Sequence, residues 1–378
     1  MFGKRSNGQV VAIALIESGS AGIALLKTGQ QPELLAHARE ELALEVRSKE
    51  AQLSGVLQAL ATAGEKVLAE YTKVGKKAIS TCYVVVGSPW SRSFSGSAGT
   101  KLDRATAITD AMISELAKQA LETQKDIDRA NFMEASVSRI LLNGYPASDP
   151  AAKRAQEIDV FTLISDCDKG IKTGATEALA KLFPGTSILW RSSARADLVA
   201  ATQIDPSGSY LIVEMDGEAT DLISVHKGVL DQRVLVEQGV RQIMDTLAKG
   251  KPAAETITLM DMLEKDECDD AACTELRDSI AKAEPELVHV FGEALAKVTA
   301  GRKLPDELIL IVPPSLAPWL SRFFARIDFT QFTATTRSLT AGSFTVRQLS
   351  GVPKNEPSLF TDADLCIACN LVNTELSS

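Results

Sequence analysis

The sequence predicts an α/β protein of two lobes, with a separate small α/β unit lying between two repeats along the chain. Two distant stretches, 10–29 and 210–228, share one pattern of strand, glycine-containing turn and strand. At 378 residues and 45% hydrophobic content, the chain can bury a large core and splits into two lobes or more. Residues 91–165 carry strand and helix periods of their own, entered through Gly87, Ser88, Pro89 and Trp90.

In the first repeat VVAIALI, at 10–16, is a continuous apolar run turned by Glu17, Ser18, Gly19 and Ser20. Apolar residues return over 21–26, and Lys27, Thr28 and Gly29 turn the chain again. The second repeat runs through 211–213, a turn of Met215, Asp216, Gly217, Glu218 and Ala219, and a return at Leu222, Ile223 and Val225. His226, Lys227 and Gly228 reverse it, a third run follows over 229–236, and Ile243, Met244 and Leu247 have helical spacing. In both copies an acidic residue, Glu17 or Glu214, ends the first strand before the glycine turn. Two such turns aimed at one cleft could grip a polyphosphate with their backbone N–H groups. Ordinary hairpins need glycine in their turns as well, so each turn alone fits either role.

Residues 31–44 complete the first sheet. Leu53, Leu57, Leu60, Val67 and Tyr71 recur at helical spacing over 49–73, which ends in a basic, glycine-containing stretch at 73–77; 79–86 is a β-branched strand. Within the small unit, 91–97 is a polar strand, Ile108, Met112, Leu116 and Ala120 mark a helix, and 135–142 and 158–164 are strands around the turn-rich 143–153. A helix over 171–183, a strand at 187–190 and a short helix at 194–201 lead to Asp205, Pro206, Ser207 and Gly208, the clearest boundary. Residues 252–300 are helical apart from an acidic loop at 264–270, and 307–312 is a buried strand interrupted by Pro313 and Pro314. Trp319, Leu320, Phe323 and Phe324 lie on a following helix, 330–349 alternates like edge strands, 362–371 is the last ordered element, and 373–378 is a polar tail.

The net charge of −9 leaves no basic footprint for nucleic acid, and Lys4 with Arg5 reads as a solvated tail. No apolar run approaches the ~20 residues that cross a bilayer, and no secretory pattern opens the chain, so a cytoplasmic protein is expected. Six cysteines suit reduced thiols rather than a disulfide framework. A zinc site built from Cys268, Cys273, Cys366 and Cys369 is the alternative, set against the apolar Leu365, Ile367 and Ala368 that mark the second pair as buried.

The hairpins LIESGSAGIALL and LIVEMDGEATDLISVHKG resemble the two phosphate loops of the actin-like ATPase (ribonuclease H-like) fold of actins, sugar kinases and Hsp70 chaperones. More narrowly, VVVGSPW, ILLNGYP, DP and KRAQEIDVFTLI are similar to segments of the bacterial FtsA cell-division and PilM pilus-assembly families. The resemblance spans 10 to about 350. It implies a first-lobe core at 1–86 and 167–207, an inserted interaction domain at 87–166, a second lobe at 208–350 with a helical subdomain at about 250–302, and a closing segment at 351–378.

Carried over residue by residue, it places Ser18, Gly19 and Ser20 in the first phosphate loop, Gly217, Thr220 and Asp221 in the second, and Ser315 in the adenosine loop. ATP with Mg2+ is the implied cofactor. Glu17 and Glu214 stand where the family has aspartate facing the metal through water, and Mg2+ tolerates little change in its octahedral shell. Pro313 and Pro314 replace the glycine run that admits adenosine, removing N–H groups and adding rings. Asp216 is the candidate for placing an attacking water, or else a turn former.

Three functions follow from the resemblance. The first is a scaffold at the cytoplasmic face of the inner membrane that docks a membrane-anchored pilus-assembly protein through a short cytoplasmic segment, with ATP binding weak or lost. Trp90, Arg92 and Phe94 are its candidate groove residues, since aromatics and arginine anchor partners well. The second is an FtsA-like ATPase that self-associates into filaments, and the third is a small-molecule kinase. The altered loops favour the first, and NLVNTELSS lacks the apolar stripe and basic face of an FtsA membrane helix.

Overall fold

Seven successive apolar residues form β1 (Val10–Ile16), and every one is buried. Such a run suits a strand covered on both faces, and β1 lies in the middle of a five-stranded sheet. In this computed structural model, residues 8–43, 48–74, 78–205, 208–248, 250–265, 267–268, 271–326, 328–342 and 346–377 are described. Lys4, Arg5, Pro206 and Ser207, with 75–77 of the basic helix end and parts of the 264–270 loop, lie outside the described residues.

β1 pairs antiparallel with β2 (Ser20–Lys27), which pairs antiparallel with β3 (Glu33–Glu41). Helix α1 (Lys49–Val74) covers this sheet through Val56, Leu60, Ala63 and Val67, and delivers the chain to β4 (Thr81–Val86), parallel to β1. The inserted unit then runs as β5 (Ser91–Ala107), α2 (Asp110–Thr123), β6 (Phe132–Leu142), β7 (Tyr145–Pro146) and β8 (Arg154–Cys167). Its sheet has the order β5-β8-β6-β7 and its own small core around Ile108, Leu116, Ile158 and Val160. The chain returns through α3 (Lys169–Leu182), capped by the Asp168 carboxylate on the Gly170 amide at 2.8 Å, to β9 (Ser187–Ser192), parallel to β4.

Helix α4 (Ser193–Ile204) leads to the second repeat: β10 (Tyr210–Met215), β11 (Thr220–His226) and β12 (Val229–Val236). Helices α5 (Val240–Ala248), α6 (Ala253–Glu264) and α7 (Ala271–Val298) precede β13 (Glu307–Ile311), α8 (Ala317–Arg326) and β14 (Thr340–Ala341). The two large sheets have the orders β3-β2-β1-β4-β9 and β12-β11-β10-β13-β14, with the same alternation of antiparallel and parallel neighbours. The duplication legible in the two hairpins thus extends to whole sheets. Between the sheets, α4 and α9 (Ala363–Ser377) fill a shared core with Ile13, Tyr83, Ile212 and Ile223.

Three expectations need correction. Among the described residues of 330–349 only Thr340–Ala341 forms an edge strand, beside β13, and Thr333 makes a single bridge to Leu304. Thr333 instead donates its hydroxyl to the carbonyls of Thr330 and Arg337, a local alternative to a strand ladder. The polar tail is the end of α9, because its polar groups have partners across the molecule. Asn373 bonds the Gly29 amide and carbonyl at 2.9 and 3.0 Å, and Glu375 pairs with Arg191 and Arg195. Cys268 and Cys273 are not reduced thiols but a disulfide with Cα atoms 6.0 Å apart, while Cys366 and Cys369 are buried in α9, so the four make no common zinc site. Burial pushes the Cys366 thiol up to about 12 and holds the Cys369 thiol well above its ordinary value. No helix among the described residues is long and apolar enough to cross a membrane.

Candidate functional site

Each central hairpin ends in a turn closed by the same backbone bond, Glu17 N–H to Ser20 O and Asp216 N–H to Ala219 O, both 3.0 Å. The two turns face each other and touch. A Cβ on Gly19 would lie 3.1 Å from the Cα of Gly217, and one on Gly217 would lie 2.8 Å from the Cα of Gly19. Only glycine at both positions permits so close a backbone approach.

Contact leaves little for a ligand. The Ser18 amide donates to the Asp216 carboxylate, the Gly217 amide to the same carboxylate at 2.5 Å, and the Glu218 amide to the Ser18 hydroxyl at 2.9 Å. Three N–H groups of the facing turns, those of Ser18, Gly217 and Glu218, are thus engaged with the opposite loop or with their own turn. Asp216 serves as the link between the turns.

Glu17 is buried and accepts from the Ser20 hydroxyl at 2.8 Å and from the Arg39 guanidinium of β3. Arg39 also pairs with Asp362 at 2.5 Å and lies 3.7 Å from Asp364, at the start of α9. Burial pushes Glu17 well above the usual carboxylate range and Arg39 opposes it. Burial likewise works against the Arg39 charge, and Glu17, Asp362 and Asp364 more than compensate. The Arg39 guanidinium is thus the positive charge seated on Glu17.

Glu214 is buried on the opposite side of the cleft, accepts from the Ser193 hydroxyl at 3.1 Å, and neighbours the fully enclosed Asp197. Burial, and then the charge of Asp364, raises Asp197 while a hydrogen bond with Glu214 opposes the rise; burial, and then Asp197, raises Glu214. Thr220 donates to the Gln238 carbonyl at 2.6 Å. Asp221 accepts from Arg233 at 2.6 and 3.0 Å and from Ser88, tying the root of the inserted unit to the second lobe. At the corner after β13 the Leu316 and Ala317 amides both donate to the Pro313 carbonyl, at 2.9 and 3.1 Å, and Ser315 is half-buried.

These residues do not fit ATP with Mg2+ in this arrangement. The loops touch, and Arg39 holds Glu17. The sequence brought Ser18, Gly19, Asp216 and Gly217 to one point. It missed Arg39, Asp197, Asp362 and Asp364; the available signal was an arginine directly opposite Gly22 in an otherwise half-buried strand.

Of the expected groove residues, Trp90 is only 2% exposed and donates its indole N–H to the Glu17 carbonyl at 3.1 Å, so it packs the core and offers no face to a partner. Arg92 pairs with Asp166 and lies 5.6 Å over the Phe94 ring. Both line a cavity of about 390 Å³ that Leu230 and Leu235 of β12 close from the other side. A cavity of about 710 Å³ adjoins it, sharing Ser95, Leu230 and Asp231.

Duplicated sheets of this order, an inserted sheet after the fourth strand and two facing hairpin turns define the two-lobed actin-like ATPase fold. The chain is similar to the solved "PilM-PilN type IV pilus biogenesis complex", with a TM-score of 0.56 and 10% identity over 99% of this chain and 100% of that one. It also aligns with the ethanolamine utilization protein EutJ from Carboxydothermus hydrogenoformans, at a TM-score of 0.47 and 10% identity over 96% and 91% of the two chains. No protein family and no curated protein matches the sequence.

Proposed function

We propose that this chain is an actin-like scaffold of the FtsA/PilM type whose nucleotide binding is weak or lost. It docks a membrane-anchored protein of a type IV pilus machinery at the cytoplasmic face of the inner membrane through that partner's short cytoplasmic segment. The observation that carries the scaffold reading is the contact of Gly19 with Gly217, with Arg39 seated on Glu17. Phosphoryl transfer relies on positioning a polyphosphate and an attacking water between such turns, and the contact of Gly19 with Gly217 argues against that room. The pilus assignment is supported by the full-length fold similarity to the PilM–PilN complex.

Incubation of the full chain with Mg–ATP, read by phosphate release and by negative-stain microscopy, separates this reading from a polymerising ATPase. A scaffold releases no phosphate above a no-protein control and forms no nucleotide-dependent filaments. Filaments that need ATP, with phosphate release, would replace the scaffold by the FtsA-like alternative.

A further inference from the structure

The cavity of about 710 Å³ lies between the inserted sheet and the second lobe, floored by Leu141, Phe161 and Leu230. Arg139, Lys227 and Arg302 stand in its wall, and among the described residues none of the three is in an ion pair. His226 between them is held below its ordinary value by burial and then by Arg302 and Lys227. Asp231 is the one carboxylate in the lining, so the cavity keeps a positive excess in a chain whose net charge is −9. Unpaired cations gathered around an apolar floor are a recognition feature rather than a stabilising one.

The backbone adds direction. β5 and β12 are edge strands of their sheets that lie against each other, with Arg233 of β12 donating to the Ser91 carbonyl of β5 at 3.1 Å, and the cavity is lined by residues of both. The adjoining smaller cavity continues along β12 as far as Leu235, which is 42% exposed. Residues 229–233 and 235 thus line a groove roughly 20 Å long at about 3.3 Å per residue, the reach of an extended segment of about six residues. Tyr145, 75% exposed, flanks the entrance between the lining residues Gly144 and Pro146.

We propose that this groove binds an extended, acidic and apolar peptide segment, whose carboxylates meet Arg139, Lys227 and Arg302 while its apolar side chains enter the Leu141–Phe161–Leu230 floor. The proposal rests on the docking reading and gives the partner segment its chemistry. Complementary charge around an apolar floor sets which segment is accepted and disfavours partners of like charge. A concave site between two sheet edges suits a chain segment; an anionic bilayer would need the cations on a convex face.

Selection of a random peptide library on the immobilised full chain tests it, followed by anisotropy titration of the enriched peptides. The enriched sequences are expected to carry an excess of Asp and Glu beside apolar residues, and to bind the Arg139→Gln/Arg302→Gln variant at least tenfold more weakly. Neither arginine is in an ion pair, so the variant keeps its unfolding midpoint. Enrichment of basic or uncharged peptides, no enrichment over bare matrix, or unchanged affinity for the variant would overturn the proposal. So would co-sedimentation with phosphatidylglycerol vesicles that the same two substitutions abolish. Phosphate release from ATP would sink the scaffold reading without touching this result, which keeps the two failures apart.

Discussion

Gly19 and Gly217, 198 residues apart in sequence, meet backbone to backbone, with the Ser18 amide on the Asp216 carboxylate beside them. This contact joins the two central hairpins, and most of the molecule's testable behaviour follows from it.

Gly217→Ala places a Cβ 2.8 Å from the Gly19 Cα, so the turns must separate. Overpacking of this kind typically costs about 1–3 kcal/mol. A lower urea midpoint is expected for this variant, whereas Gly301→Ala, with no atom within 4 Å of its new carbon, stays within about 0.5 kcal/mol.

Arg39→Met leaves Glu17, 5% exposed at its side chain, without its countercharge. The buried Glu17 oxygens lose the guanidinium that donates to them, which costs about 1–3 kcal/mol and lowers the urea midpoint. Adding Glu17→Gln to that variant restores part of the loss, and the four proteins form a cycle with coupling beyond simple additivity. Strictly additive losses would mean that the two side chains do not interact.

The pH dependence has a definite sign. Burial, opposed by Arg39 and aided by Asp362, raises Asp364 to about 6 in the folded chain, against an ordinary carboxylate value of about 3.9 in the unfolded one. The folded state therefore binds the extra proton between those values, and its stability falls as pH rises through them. Asp364→Asn removes that titration. Denaturation at a series of pH values should give a smaller stability loss between pH 4 and pH 6 for the variant; parallel curves would contradict the assignment.

Local signals made much of this legible. Continuous apolar strands, glycine turns and the repeat of both gave the two hairpins and the three-strand-and-helix unit at 210–247, because strand alternation and turn chemistry are written within a few residues of one another. The meeting of Gly19 with Gly217 was not legible, since it depends on how two lobes approach. Arg39 was hidden for the same reason: its partners Glu17, Asp362 and Asp364 come from both ends of the chain. Trp90 looked like a partner anchor because aromatics anchor partners well, yet the turn it follows points its ring into the core against Glu17. The stretch at 373–377 read as a tail because polar residues at a terminus normally face water, whereas Asn373 and Glu375 have Gly29, Arg191 and Arg195 to bond.

Calorimetric titration of the full chain with Mg–ATP, and separately with ADP, tests the closed cleft most directly. The account predicts no heat and no thermal shift at nucleotide concentrations on the order of 1 mM, equivalent to an affinity weaker than about −4 kcal/mol. Saturable binding with a Kd on the order of 1 μM would contradict it, because the touching turns and the Arg39–Glu17 pair would then have to open at little cost.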